Sequence, residues 1–145
     1  MKIGIANDHH GVKLKTRLVK YLKKKNIEIY DLGTDNNQSV DYPDYAKAVG
    51  QAVADGRLDL GILICKTGIG MSIACNRVKG ARCAKVCNIS EAVASREHNG
   101  ANVLALNSNM FVFKAKDIVD AFIKTPFTNE ERHVRRIGKI EQWLD

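Results

Sequence analysis

The sequence predicts an α/β domain built on a parallel sheet with helices on both faces. Two observations carry this. Short β-branched runs alternate with longer segments of helical periodicity along the whole chain. The run Leu60–Ile64 is apolar without alternation and is bounded by turn formers, the pattern of a strand buried on both faces. It passes through Cys65, Thr67, Gly68 and Gly70 into a helical pattern that includes Met71, Ile73 and Ala74. At 145 residues, 45% hydrophobic and with only two prolines, the chain suits one folded domain, 1–145, with no linker and no internal repeat.

Taken in order, Lys2–Asn7 reads as a strand and Gly11–Lys25 as a helix with Leu14, Leu18 and Leu22 on one face. Ile27–Asp31 is a second strand, followed by a polar loop over Asp35–Val40. Pro43 sits in the first turn of a helix that reaches about Asp55 and is closed by Gly56. The strand before Cys65 and the helix after Gly70 follow. Arg82–Val86 is a short strand, and Ser90 is expected to cap a helix that runs to about His98. Asn102–Leu106 is the fifth strand, and Lys114–Lys124 and Asn129–Leu144 are the last two helices. In the final helix Val134, Ile137, Ile140 and Leu144 form an apolar stripe, with Arg132 and Arg136 one turn apart beside it. Such a helix either docks on its own sheet or reaches over a neighbouring subunit.

Composition excludes several classes. No apolar run approaches the roughly 20 residues of a membrane span, and the opening MKIGIANDHH lacks the layout of a signal peptide. Cys65, Cys75, Cys83 and Cys87 match no C-x-x-C metal or redox spacing, so free thiols in a reducing cytoplasm are the simplest account. No H-x-x-x-H set is present either, and neither metal nor cofactor is expected. The net charge of +7 draws on Lys13, Lys15, Arg17, Lys20 and Lys23–Lys25, and on ERHVRRIGK near the end. Nucleic-acid binding is one reading of such charge. Few aromatics are interleaved with it, so a solvated helix face is preferred for Lys23–Lys25 and no nucleic-acid partner is expected.

The chemistry concentrates after the third strand. A thiol at the carboxyl end of a parallel strand lies where open α/β sheets bind ligands. The glycine loop beside it offers backbone N–H groups to an anion, and the following helix start favours negative charge. The loop is neither a Walker loop nor a dinucleotide fingerprint, since G-x-x-x-x-G-K-[ST] and the third glycine are both missing. Asp8 and His9 follow the first strand, Tyr42 opens the second helix in DYPDYA, and His98–Asn99 precede the fifth strand. These groups are expected to converge on one sheet edge.

The segments IANDHHGVKLK, DYPDYA, GILICKTGIGMSIACNRVKGAR, SREHNGANVLAL and EERHVRRIGKIE resemble ribose-5-phosphate isomerase type B, nearly end to end and in the same order. The resemblance implies a Rossmann-like three-layer αβα fold with a five-stranded parallel sheet. It implies a cofactor-free aldose–ketose isomerase of the pentose phosphate pathway, acting on a small sugar phosphate. It implies a homodimer, or a tetramer of paired dimers, with active sites built from both subunits and the C-terminal helix (about 129–144) against the partner.

By the same resemblance Cys65 is the base that moves a proton along the enediol. Thr67 and His98 help to open the furanose ring, with His98 as acid. The backbone from Lys66 through Gly68, Ile69 and Gly70 to Met71 holds the enediolate oxygen. Asp8 and Asn99 bind hydroxyls, Tyr42 lines the site, and His9, Arg132 and Arg136 bind phosphate. The physics agrees: an oxyanion forming from a weak carbon acid needs preorganised donors, and a thiol must ionise to act as base. Paired arginines also match phosphate geometry better than lysines.

Three positions depart from the family pattern. His10 replaces a small residue, Lys66 replaces a glycine, and Asn107-Ser108-Asn109 replaces Gly-x-Arg, so that Asn109 stands where an arginine near the phosphate is usual. Lys66 either offsets that loss of charge or points to solvent. Related six-carbon sugar phosphates, such as allose or galactose 6-phosphate, are the alternative substrates, and a non-catalytic sugar-phosphate-binding module is the alternative of another class.

Overall fold

The computed structural model describes residues 1–144. Its strands are β1 (Lys2–Asn7), β2 (Glu28–Asp31), β3 (Leu60–Cys65), β4 (Cys83–Lys85) and β5 (Val103–Asn107). Its helices are α1 (Val12–Lys23), α2 (Tyr42–Ala54), α3 (Ile69–Cys75), α4 (Ile89–Asn99), α5 (Val112–Lys124) and α6 (Glu131–Gln142). The strands pair in parallel in the order β2-β1-β3-β5-β4. The expected α/β architecture, a five-stranded parallel sheet between helical layers, is therefore the observed one.

The two-residue period of a strand divides the core. Leu60, Ile62 and Ile64 of β3 pack with Leu14, Leu18 and Leu22 of α1 and Ile118 and Phe122 of α5. Leu63 and Cys65 face the other way, among Val49 of α2 and Met71 and Cys75 of α3. The same alternation puts Leu104 and Leu106 of β5 in the first cluster and Val103 and Ala105 in the second. The Cys65 side chain thus belongs to the α2–α3 face and to the carboxyl end of a central strand.

One expectation needs correction. The cap of α4 is Asn88 rather than Ser90: its side chain accepts the Glu91 amide at 2.8 Å, and Glu91 Oε2 in turn accepts the Cys87 amide at 2.6 Å. Asn88 has the extended backbone a cap requires, whereas Ser90 is already helical. Lys15 stands apart from the other cations of α1. It is buried, pairing with Asp31 at 3.1 Å and Asp35 at 2.5 Å and donating to the Thr34 carbonyl at 2.8 Å. A buried ammonium needs such partners, and here they tie the loop after β2 to the body of the sheet. The same Thr34 carbonyl accepts from Asn7 Nδ2 at 3.0 Å, at the end of β1.

The terminal helix α6 is shorter than expected at both ends, and Asn129 before it has a φ of +59°. Asp145 lies outside the described residues. The apolar stripe of α6 is incompletely covered within one chain: Val134 and Ile140 are exposed, and His133 is the buried side chain of the helix. The stripe meets its own chain near Gly100, where an added Cβ would lie 3.4 Å from Ile137 Cδ1.

Candidate active site

A cleft of about 540 Å³ opens over the carboxyl ends of β1 and β3. Asp8, His9, Tyr42, Cys65, Lys66, Thr67, Ile69 and Gly70 line it, together with His10, Val40 and Ile73. Gly68 completes the loop and shows why a glycine is needed there. Its φ is +79°, and an added Cβ would lie 3.1–3.2 Å from the Leu106 backbone. Eight of the residues expected from the sequence therefore meet in one place, with Gly68 buried in the same loop.

Loop geometry turns two amides inward. Gly68 N–H donates to Cys65 Sγ at 3.1 Å, and Ile69 N–H donates to Thr67 Oγ1 at 3.1 Å. These amides were expected to face the substrate oxygen; instead the sulfur and the hydroxyl hold them. Cys65 is 5% exposed, and its carbonyl accepts the Ser108 amide at 2.9 Å, which locks the strand end against β5.

Across the cleft, Asp8 is buried and its Oδ1 accepts the His10 amide at 2.9 Å. His9 Nδ1 accepts from the Val40 amide at 3.4 Å, and the His9 and His10 rings stand 4.3 Å apart. Tyr42 packs on Gly70 so closely that an added Cβ would lie 2.6 Å from Tyr42 Cζ. Lys66 is exposed and makes no ion pair among the described residues. His10, known from sequence only as a departure, takes its place in the lining.

Five expected residues are elsewhere. Asn109 follows β5 on the carboxyl side, its amide on Asn107 Oδ1 at 2.7 Å, outside the cleft lining. His98, Asn99, Arg132 and Arg136 do not converge on this edge at all. In a parallel sheet each connecting helix returns the chain to the amino edge. His98 and Asn99 end α4 and precede β5, so they lie at the end of the sheet opposite Cys65. The expectation of a single shared edge fails for this pair.

There they form a second cluster. The His98 ring stacks on His133 of α6, with centroids 4.9 Å apart and planes at 22°. Arg132 pairs with Glu130 at 3.1 Å, while Arg136 has no ion pair among the described residues. His133 was not among the sequence candidates. Its signal was a histidine inside a run of arginines on the face that packs inward. His133 is buried, and its Nε2 has no hydrogen-bond partner among the described residues. Burial first, then Arg132 and His98, hold its pKa below the ordinary 6.5, against a smaller opposing pull from Glu130.

Folding stability should respond to that shift. The unfolded chain takes up a proton on His133 near pH 6.5, whereas the folded chain does so only at lower pH. The contribution is therefore fully present above 6.5 and is lost as pH falls from there toward the folded value. His133→Leu should show a smaller fall in Tm between pH 7 and pH 5 than wild type. Equal falls would mean that His133 does not titrate differently on folding.

Among the described residues, no group of three or more His, Cys, Asp or Glu side chains is placed to hold a metal ion. No helix among the described residues is long and apolar enough to cross a membrane.

A ribose/galactose isomerase family model matches residues 3–140. Ribose-5-phosphate isomerase B of Escherichia coli is 41% identical over 144 residues, which cover 97% of each protein. The structure of Clostridium thermocellum ribose-5-phosphate isomerase B superposes with a TM-score of 0.95 at 48% identity, covering 99% of this chain and 97% of that one. The Mycoplasma genitalium ribose-5-phosphate isomerase B, solved with bound ribulose-5-phosphate, has a TM-score of 0.93 at 41% identity, covering 98% of this chain and 95% of that one.

Proposed function

The chain belongs to the ribose/galactose isomerase family, and we propose that it interconverts D-ribose 5-phosphate and D-ribulose 5-phosphate through an enediolate. The observation that carries this reading is the Cys65 thiol at the head of the cleft, with the Gly68 amide 3.1 Å from its sulfur. The isomerisation moves one hydrogen from C2 to C1 and leaves the overall oxidation level unchanged, so no external oxidant or reductant is required.

In this reading the Cys65 thiolate takes the C2 proton of the open-chain aldose. The electron pair passes into a C1–C2 double bond, and the carbonyl oxygen becomes an oxyanion held by the amides of the 66–71 loop other than those of Gly68 and Ile69. A proton passes from the C2 hydroxyl to O1, which leaves the charge on O2; the thiol then returns its proton to C1 as O2 closes to the C2 ketone. Thr67 and His98 assist ring opening, Asp8 and Asn99 bind hydroxyls, and His9, Lys66, Arg132 and Arg136 offer charge to the phosphate. His98, Asn99 and the arginines stand at the wrong edge of their own sheet for this task. Their place in the mechanism follows if a second copy supplies them, across a two-fold axis covered by the stripe of α6. A homodimer of single-domain chains acting in the cytoplasm fits this arrangement and the four free thiols.

A panel of five- and six-carbon sugar phosphates, with ketose formation followed, tests the reading. Ribose 5-phosphate should be turned over with the highest kcat/KM. Faster turnover of allose or galactose 6-phosphate would move the assignment to the six-carbon sugars, and no turnover of any would remove the activity. Gly70→Ala tests the wall of the cleft. The added methyl displaces Tyr42, and overpacking of this kind costs about 1–3 kcal/mol. KM should rise about tenfold while the protein stays folded. An unchanged KM would place Tyr42 outside the substrate site.

A further inference from the structure

Helix α1 carries a charge pattern that isomerisation leaves unused. Its sequence, VKLKTRLVKYLK, contains no acidic residue. Lys13 and Arg17, Arg17 and Lys20, and Lys20 and Lys24 are like-charged neighbours three or four residues apart, a spacing that opposes the helix. A face that served only solubility would gain by mixing signs.

The cations converge on a groove of about 460 Å³ between α1 and α5, lined by Thr16, Arg17, Lys20, Tyr21, Lys24 and Lys116. Arg17, Lys20 and Lys24 make no side-chain hydrogen bond or ion pair among the described residues. No carboxylate lines the groove. Asp120, the acid beside Tyr21, accepts from its hydroxyl at 2.5 Å and pairs with Lys25 at 2.8 Å. The Tyr21 ring is itself occupied, with Lys25 Nζ 4.5 Å and Lys116 Nζ 4.9 Å from its centroid. A nucleobase therefore finds no free aromatic face, and what the groove offers is charge.

We propose that this groove binds a linear oligophosphate, a chain of about three phosphates as in tripolyphosphate or the tail of a nucleoside triphosphate. From Arg17 to Lys24 the helix advances about 10 Å at roughly 1.5 Å per residue, too far for one phosphate to bridge and suited to a short chain. Four cations line it, matching the charge of a triphosphate. The volume falls within the roughly 300–1,000 Å³ of small-molecule sites. The groove lies on the α1–α5 face of the sheet, whereas Cys65 belongs to the α2–α3 face. The two sites are separate, and the inference does not rest on the isomerase reading.

Calorimetric titration of the full chain with tripolyphosphate tests this. One site per chain is expected, at least about tenfold tighter than for orthophosphate and weakening linearly in log K with log salt. Lys20→Gln/Lys24→Gln should weaken binding at least about tenfold and leave turnover of ribose 5-phosphate, measured without tripolyphosphate, unchanged. Lys66→Gln and Arg136→Gln should leave tripolyphosphate binding intact. Equal binding of a nucleoside triphosphate would assign recognition to the phosphates alone; tighter binding would add the nucleoside to the same site. Equal affinity for orthophosphate, or loss of binding in Lys66→Gln, would overturn the proposal. So would a short RNA duplex that binds about a hundredfold tighter, since the face would then be a nucleic-acid surface.

Discussion

Cys65→Ala is expected to lower kcat for ribose 5-phosphate by about 10²–10⁴-fold, the usual contribution of a positioned acid–base group. The expectation rests on placement. Cys65 ends a strand whose every residue is buried, it lines the cleft, and its sulfur accepts the Gly68 amide. Nothing else in the lining duplicates it: Asp8 spends one carboxylate oxygen on the His10 amide, and His9 spends Nδ1 on Val40. The substitution removes one sulfur from a site that opens onto the cleft, so folding should survive and circular dichroism should match wild type. Cys75 provides the control. It is fully buried on the inner side of α3, beneath Gly50, and Cys75→Ala should reduce stability more than turnover. If Cys65→Ala keeps near-wild-type kcat, the base lies elsewhere, and His9 becomes the first residue to test.

Sequence reasoning succeeded where a property depends on local pattern. The apolar run of β3, the turn residues after it and the side-chain period of two are enough to place Cys65 at a ligand-binding edge. It failed where placement depends on chain direction through the whole sheet. His98–Asn99 stand next to a strand just as Asp8–His9 do, yet one pair precedes its strand and the other follows it. In a parallel sheet that difference is the full length of a strand. Lys15 shows a second limit. Its burial depends on Asp31 and Asp35, sixteen and twenty residues away, and nothing in the helical pattern of α1 distinguishes it from the solvated lysines beside it. The Asn88 cap shows a smaller one, because Asn88 and Ser90 both suit a cap and only the backbone conformation separates them.

The misplaced pair leads to the second large effect. His98→Ala should be inactive or nearly so if His98 opens the ring, and Cys65→Ala should be inactive for want of a base. Within one chain these residues occupy opposite edges of the sheet, so no single subunit assembles both. If a second copy completes each site, a dimer of one Cys65→Ala chain and one His98→Ala chain holds two kinds of site. One lacks both groups; the other combines an intact Cys65 with an intact His98. Mixing the two inactive proteins under subunit exchange should then restore activity. With random pairing, half of the dimers are mixed and half of their sites are whole, so recovery should approach about a quarter of wild type. The exposed stripe of Val134 and Ile140, beside Arg136, which has no ion pair among the described residues, gives the partner a surface to cover. Exchange itself is verified by mass spectrometry of differently labelled chains. Proven exchange with no recovery would mean that His98 serves no site headed by a partner's Cys65, and the shared-site reading would fall while the role of Cys65 stood or failed on its own variant.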